Sequence, residues 1–236
     1  MSEAQKKSLF ERLEEVWRAL KSHFLRPRKK LRPIEDLDAL ADFIEGRSSL
    51  VSQTSLYGYI KTRAGTRFPE LFENDLFLES INIAKWHVWC ACLSDLAVYT
   101  GRLLYETHPH SEELRQLMRF VVVGIADRVG VPDDAGRDFP DAISQMINRI
   151  ECAPFSELDD LETIFQQSGD ALVHWSPIVD ELKVLDEEIV RNSIRFRWQE
   201  PRRDLRKLLD VQSTVADWAK GAKQSRQLAD SAHTGG

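Results

Sequence analysis

The stretch from about Asn74 to Thr107 constrains the fold of this chain more than any other. Its middle, INIAKWHVWCACLSDLAVY, is apolar on nearly every side of a helix and carries few charges. A helix that is apolar all round is stable only when other elements surround it. Asn74 or Asp75 can cap its first free N–H groups. The segment therefore predicts a central helix enclosed by a bundle of others.

Helical periodicity continues along most of the remaining sequence. Apolar residues recur three or four positions apart, and prolines and glycines separate the periodic segments. Of the 236 residues, 42% are hydrophobic, which is enough to build a core and argues against wholesale disorder. We therefore predict an all-α, multi-helix bundle of about eight or nine helices around the long apolar central helix.

Several helix boundaries can be predicted from capping and breaking residues. Pro33 suits the first turn of a helix that Gly46 would end, so that a separate helix covers Ser48 to Arg63. Ser156 and Asp159 resemble a capping box that introduces another helix.

Two further helices are predicted near the end of the chain. The helix after Pro177 is expected to bury Ile178, Leu182, Leu185 and Ile189. The last helix is expected to begin at Pro201 and to place on one face Leu208, Val211, Val215 and Trp218.

The chain divides into three predicted parts. Residues 1–32 combine an amphipathic helix with a basic connector, residues 33–221 form the bundle, and residues 222–236 form a disordered tail. The amphipathic stripe follows a 3-4-3-4 spacing and consists of Phe10, Leu13, Trp17, Leu20 and Phe24. Pro27 ends that helix.

Targeting features predict a cytoplasmic protein. The N-terminus lacks the apolar core of a secretory signal, and no segment reaches the roughly 20 apolar residues of a membrane-spanning helix. The three cysteines do not form a disulfide framework and are interpreted as reduced core residues. Membrane association through residues 1–32 is left open.

The net charge of −6 conceals a strong segregation of charges along the chain. Residues 21–32 carry +6, residues 133–190 carry −12, and residues 191–207 carry +5. The two basic segments predict docking to an acidic protein partner. The predicted contact residues are Arg26, Arg28, Lys29, Lys30, Arg32, Arg191, Arg195, Arg197, Trp198, Arg202 and Arg203. Nucleic acid ranks last as a partner, because the acidic segment repels a polyanion.

Familiar catalytic signatures are absent from the sequence. It contains no nucleophile elbow, no phosphate-binding glycine loop, no H-E-x-x-H and no C-x-x-C. His108 and His110 flank Pro109 but would need distant partners to hold a metal. The sequence therefore implies no cofactor and no metal, and it favours a protein that is not an enzyme.

A candidate pocket is indicated by polar residues in unusual settings. Tyr57, Arg63 and Arg67 combine aromatic and basic character beside small hydroxyl residues, which suits an anion-binding groove or a solvated basic face. His87 and Asp95 lie on the apolar central helix. A buried Asp95 would be either a pocket carboxylate or, as we favour, the partner of an arginine from another helix.

The segment QTSLYGYIKTRAGTRFPELFENDLFLESINIAKW, continued by CLSDLAVY, resembles a small family of bacterial all-helical proteins of unestablished role, some of which are labelled esterase. The resemblance covers about a quarter of the chain. It implies a bacterial cytoplasmic protein and adds a hydrolase with an unrecognised active site as an alternative. A catalytic triad is recognised by its geometry and not by sequence order.

These observations predict a non-enzymatic helical adaptor or assembly factor that engages an acidic protein partner through its basic helical segments. The alternatives are peripheral binding to anionic membranes through residues 1–32 and an esterase-like hydrolase.

Overall fold

The computed structural model describes residues 32–221, and every structural statement below refers to that part of the chain. Apart from two single helical turns of four residues each, it holds eight helices and no strand, so the predicted all-α bundle is confirmed. The helices are α1 (Leu37–Ala64), α2 (Phe68–Leu71), α3 (Asp75–Thr107), α4 (Ser111–Val129), α5 (Phe139–Glu151), α6 (Leu161–Ile164), α7 (Gln166–Trp175), α8 (Asp180–Arg197), α9 (Gln199–Leu208) and α10 (residues 211–221).

Helix α3 is the centre of the bundle, as its sequence predicts. The Asn74 side chain caps it by accepting hydrogen bonds from the backbone N–H groups of Leu76 and Phe77 at 3.0 and 3.2 Å. Burial is unbroken from residue 92 to residue 101, so that stretch has no face toward water. Helices α1, α4, α5 and α7 pack around α3.

Helix α1 is continuous, and the prediction that Gly46 ends it is wrong. The buried residues Leu40, Ile44, Ser48 and Val51 keep helical spacing on both sides of the glycine. Burial of this stripe outweighs the cost of about 1 kcal/mol that a glycine imposes on a helix interior. The helix ends instead at Gly65, whose φ of 56° favours glycine and whose N–H donates to the Lys61 carbonyl.

We expect Gly46→Ala to raise the free energy of unfolding by up to about 1 kcal/mol. Gly46 is exposed, and a Cβ there would have no heavy atom within 4 Å apart from its own helix. Urea denaturation measures the change. Gly65→Ala is the control and should be destabilising, because alanine is strained at positive φ. A loss of stability in Gly46→Ala would contradict a continuous α1.

Two other predicted boundaries are also corrected. Ser156 lies in a turn, and Asp160 caps α6 by accepting from the N–H groups of Glu162 and Thr163 at 2.9 and 3.2 Å. The predicted last helix is interrupted after Leu208. There the Ile34 N–H donates to the Leu208 carbonyl at 2.8 Å, and the Asp210 N–H donates to the Ile34 carbonyl at 2.9 Å.

Helix α8 packs through a different face from the predicted one. Its buried residues are Asp186, Val190 and Ile194, whereas Leu185 and Ile189 are 73% and 70% exposed. The two faces are adjacent and share the same spacing. The face with Asp186 turns inward because its carboxylate finds a cation and a hydroxyl on α1, as described below.

Some predictions fall on residues that the structure does not describe. The amphipathic helix, the predicted tail and the basic residues Arg26, Arg28, Lys29 and Lys30 lie outside the described residues, whereas Arg32 is exposed. Cys90 and Cys92 are buried without a disulfide, but Cys152 is exposed, so its interpretation as a core residue is wrong. Among the helices of residues 32–221, none combines the length and apolar character that crossing a membrane requires.

Candidate functional site

Asp95 joins three helices through its carboxylate. It is 0% exposed, and Arg149 of α5 donates to its Oδ1 at 2.6 Å. Its Oδ2 accepts from the Ser168 N–H at 2.8 Å, in the first turn of α7. Since the N-cap residue of α7, Phe165, makes no side-chain cap, Asp95 supplies the missing acceptor from another helix. The prediction that Asp95 meets an arginine from another helix is confirmed.

The other donors of Arg149 are also used within this cluster. The Nη1 that contacts Asp95 also lies 3.0 Å from the Ser94 Oγ and from the Gln167 Oε1, and Nη2 donates to the Ile164 carbonyl at 2.8 Å. Burial raises the pKa of Asp95, and Arg149 and Ser168 act in the opposite direction. The cluster is closed on itself, so Asp95 has a structural role and is not free for a ligand.

A groove of about 440 Å³ lies next to this cluster, between α3, α5 and α7. No lysine or arginine lines it. Its volume falls in the range of sites for small organic molecules. The lining residues are His87, Cys90, Ala91, Ser94, Asp138, Asp141, Ala142, Gln145, Met146, Gln167, Asp170, Ala171 and Trp175.

His87 forms the aromatic wall of the groove together with Trp175. The two rings stack with centroids 3.7 Å apart and an angle of 15°, and His87 is only 5% exposed. Its Nε2 is closed off from water and has no hydrogen-bond partner among the described residues. Burial lowers the pKa of His87, and His174 adds to this effect, whereas Asp138 and the Ala135 backbone oppose it. The ring is therefore neutral at pH 7.

The rim of the groove carries two carboxylates that no cation neutralises. The side chains of Asp138 and Asp141 are exposed and form no hydrogen bond or ion pair with the described residues. Other nearby carboxylates differ, since Asp134 pairs with Lys85 and Asp170 pairs with Arg191. The groove therefore presents negative charge and hydrogen-bond acceptors to whatever enters it.

The groove holds no activated nucleophile. Burial raises the pKa of Cys90 to about 12, and its Sγ donates to the Ala142 carbonyl at 3.4 Å. The Ser94 hydroxyl is held by Gln167 and Arg149. Within residues 32–221, no serine or cysteine is hydrogen-bonded to a histidine, so no triad is assembled in that part of the chain.

The structure does not bring the predicted pocket residues together. Tyr57 is buried, which raises its pKa to about 12. Arg63 forms a two-pronged ion pair with Asp186, which also accepts from the Tyr59 hydroxyl at 3.0 Å. The Arg67 side chain is 80% exposed and lies 3.3 Å from Glu70. Of the predicted set, only His87 lines the groove, with Asp95 behind it.

Most of the predicted basic contact residues in α8 are engaged within the protein. Arg191 pairs with Asp170 and Glu187, and Arg195 lies 3.7 Å from Glu162. The Arg197 guanidinium packs 3.4 Å from where a Cβ on Gly58 would stand, and burial lowers its pKa. An alanine at position 58 would only make ordinary van der Waals contact with this guanidinium.

The remaining predicted contact residues divide between the core and the surface. Trp198 is fully buried and donates from Nε1 to the Ser168 Oγ at 3.1 Å, which removes it from the predicted surface. The Arg202 guanidinium lies over the rings of Tyr99 and Phe165, at 5.9 and 5.8 Å. The Arg203 side chain is 68% exposed and lies 3.7 Å from Asp204, which Arg47 contacts at 2.7 Å.

An exposed apolar surface runs along α8, where the sequence analysis expected core. Leu185, Ile189 and Phe196 are each at least 70% exposed. Ile189, Phe196 and Arg203 are seven residues apart and share one side, because the buried residues Val190, Ile194, Trp198, Pro201 and Leu205 line the other. We call Leu185, Ile189, Phe196, Arg203 and Lys207 the α8–α9 track.

Sequence reasoning missed both the track and most of the groove. Asp138 and Asp141 flank Phe139 and Pro140 at the start of a helix, where acidic residues are ordinary. The run Ile178, Leu182, Leu185 and Ile189 has the spacing of a core stripe. No local signal in the sequence marked an uncompensated charge, because Arg137 directly precedes Asp138.

Comparisons with known proteins add no relative. No family model matches the chain, and the searches of curated proteins and of solved structures returned no match. The fold and the groove of the described residues define an all-α bundle with an acidic groove beside its central helix. In residues 32–221, no group of three or more His, Cys, Asp or Glu side chains is arranged to hold a metal ion.

Proposed function

We propose that this protein is a non-enzymatic helical adaptor that docks an amphipathic helix of an acidic protein partner on the α8–α9 track. The observation that carries the proposal is the exposure of Leu185, Ile189 and Phe196 in one line. Clustered apolar exposure of this kind marks a protein–protein contact, because burying it on a partner removes apolar surface from water. A helix laid along such a line is a recurrent mode of recognition.

The charges beside the track select the partner and its direction. Arg203 and Lys207 extend the apolar line toward the end of α9, and both are exposed. Glu181 and Glu188 are exposed near its beginning. The acidic residues of the partner helix should therefore lie toward Arg203 and Lys207, because opposite charges steer and orient association. Arg191 and Arg195 of α8 contribute less, since carboxylates of the same chain already lie beside them.

Photo-crosslinking tests the proposal in cells. A photoreactive residue at position 189 or 196 should capture the same protein through a helical segment with acidic residues. One at Leu76, which is 74% exposed on α3, should not capture it. A synthetic peptide of the captured segment can then be titrated against the full chain at low and high salt. Its affinity should fall at high salt, because salt screens exposed charges.

In that titration, we expect the double substitution Arg203→Glu and Lys207→Glu to weaken peptide binding about tenfold or more. Glu188→Lys is the matched control and should leave the affinity unchanged or strengthen it. Capture of a second copy of this chain, or equal capture from positions 76 and 189, would contradict an acidic partner on the track. Unchanged peptide affinity in the variant with Arg203→Glu and Lys207→Glu would also contradict the proposal.

A further inference from the structure

We propose that the groove between α3, α5 and α7 is a binding site for an organic primary amine with an apolar or aromatic body. The two free carboxylates, Asp138 and Asp141, hold the ammonium group at the rim. The stacked rings of His87 and Trp175 pack against the body of the ligand. This site is separate from the α8–α9 track and does not depend on the proposed adaptor function.

The charge of the groove lining determines that the ligand carries a positive charge. Three aspartates line the groove, and Arg191 neutralises only Asp170. No lysine or arginine is part of the lining, and the Arg149 guanidinium, which contacts the lining residues Ser94 and Gln167, is paired with Asp95. The Gln145 side chain on α5 adds an amide oxygen to the lining, whereas the Gln167 amide oxygen already accepts from Arg149 at 3.0 Å. An ammonium group, which has three N–H donors and no acceptor, matches this lining.

His87 gives the ammonium group a third acceptor, inside the groove. His87 is 95% buried, and its Nε2 has no hydrogen-bond partner among the described residues. As the acceptor nitrogen of a neutral ring, Nε2 has no donor, and a buried polar atom without a partner is costly. An N–H of the bound ammonium group would satisfy it, because that group has three donors for the two carboxylates and the ring.

Trp175, which stacks on the His87 ring, reports the entry of a ligand into the groove. Because Nε2 is closed off from water, a ligand that reaches it has to displace the neighbouring side chains, and the indole lies 3.7 Å from the His87 ring. We therefore expect binding to change the environment of Trp175. The volume of about 440 Å³ accommodates an arylalkylamine.

The test is a titration of the full chain with 2-phenylethylamine, followed by NMR of the backbone amides and of the tryptophan Nε1–H groups. Matched probes are 2-phenylethanol and 3-phenylpropionate, which replace the ammonium with a hydroxyl and a carboxylate. We expect the amine alone to shift signals from residues 138–142 and from Trp175, with a Kd of about 1 mM. Shifts of the same size with the alcohol, or no shifts at these positions with the amine, would overturn the proposal.

Substitutions of the rim carboxylates test whether the amine binds in the groove. Asp138→Asn combined with Asp141→Asn should weaken binding of the amine about tenfold, since both carboxylates are lost while the shape is kept. Asp133→Asn removes one charge, half of the change in the double variant, at an exposed residue that does not line the groove, and it should leave the affinity unchanged. Equal weakening in both variants would indicate general electrostatic attraction and would refute a built site. All three changes are at exposed positions, and a circular dichroism spectrum confirms that the helices are kept.

Discussion

Asp95→Ala is expected to lower the free energy of unfolding by about 3–5 kcal/mol. The substitution leaves the Arg149 guanidinium without the carboxylate that it contacts at 2.6 Å, in a site where Asp95 is fully buried. It also leaves the Ser168 N–H at the start of α7 without its acceptor. Chemical denaturation followed by circular dichroism measures the loss.

Asp159→Ala serves as the matched control for this prediction. Asp159 also pairs with an arginine, Arg102, at 3.0 Å, but its side chain is 83% exposed. Exposed ion pairs contribute little, so the change should stay within about 0.5 kcal/mol. Adding Arg149→Met to Asp95→Ala should recover part of the lost stability, because the unpaired buried cation is then removed. Equal losses in Asp95→Ala and Asp159→Ala would show that the buried cluster does not anchor α7.

Gly101→Ala should lower the free energy of unfolding by about 1–3 kcal/mol, although alanine is the better helix former. A Cβ at position 101 of α3 would overlap the ring of Phe155. Phe155 is itself 0% exposed, so the ring has no free space into which it could move. Thermal and urea denaturation both report the change.

Gly124→Ala is the corresponding control on α4. No heavy atom would lie within 4 Å of a Cβ there apart from its own helix, and the residue is exposed. This variant should gain up to about 1 kcal/mol, so the two glycines should give opposite signs. Adding Phe155→Leu to Gly101→Ala should restore part of the stability if the overlap is the cause. A gain of stability in Gly101→Ala would refute the close packing of α3 against Phe155.

The fold class and its central helix could be read from the sequence, because they depend on periodicity and on the amount of apolar surface. INIAKWHVWCACLSDLAVY has no polar face, and the structure surrounds it with four helices. Boundaries were predicted less well. Gly46 looked like a helix end because a glycine is a local signal, whereas the continuity of α1 depends on a buried stripe that spans it.

The candidate site was predicted only in part, for a similar reason. His87 and Asp95 stood out as polar residues on an apolar helix, and both are buried. What surrounds them comes from α5 and α7, which are more than 40 residues away in sequence. Nothing in the local pattern indicated that Arg149 would close the cluster around Asp95 or that Asp138 and Asp141 would stay unpaired beside His87.

Charge gave the least reliable guide to surface recognition. The sequence places seven basic residues between Arg191 and Lys207, yet Arg191 and Arg195 contact acidic residues of the same acidic segment that precedes them. A charge in sequence becomes a recognition surface only if folding leaves it unpaired. That condition depends on long-range contacts.

The sequence by itself determined that this chain forms helices, where apolar stripes run, and that one helix must be enclosed. These are local or compositional properties, since propensity and periodicity act over a few turns. Tertiary structure alone decided which of two adjacent faces of α8 is buried. The inward face holds Asp186, whose carboxylate is paired by Arg63 and Tyr59 across the bundle, and so Leu185 and Ile189 remain in water. Periodicity cannot distinguish two faces of a helix that have the same spacing of residues. An ion-pair partner on a distant helix does distinguish them, because it stabilises only one face in the buried position.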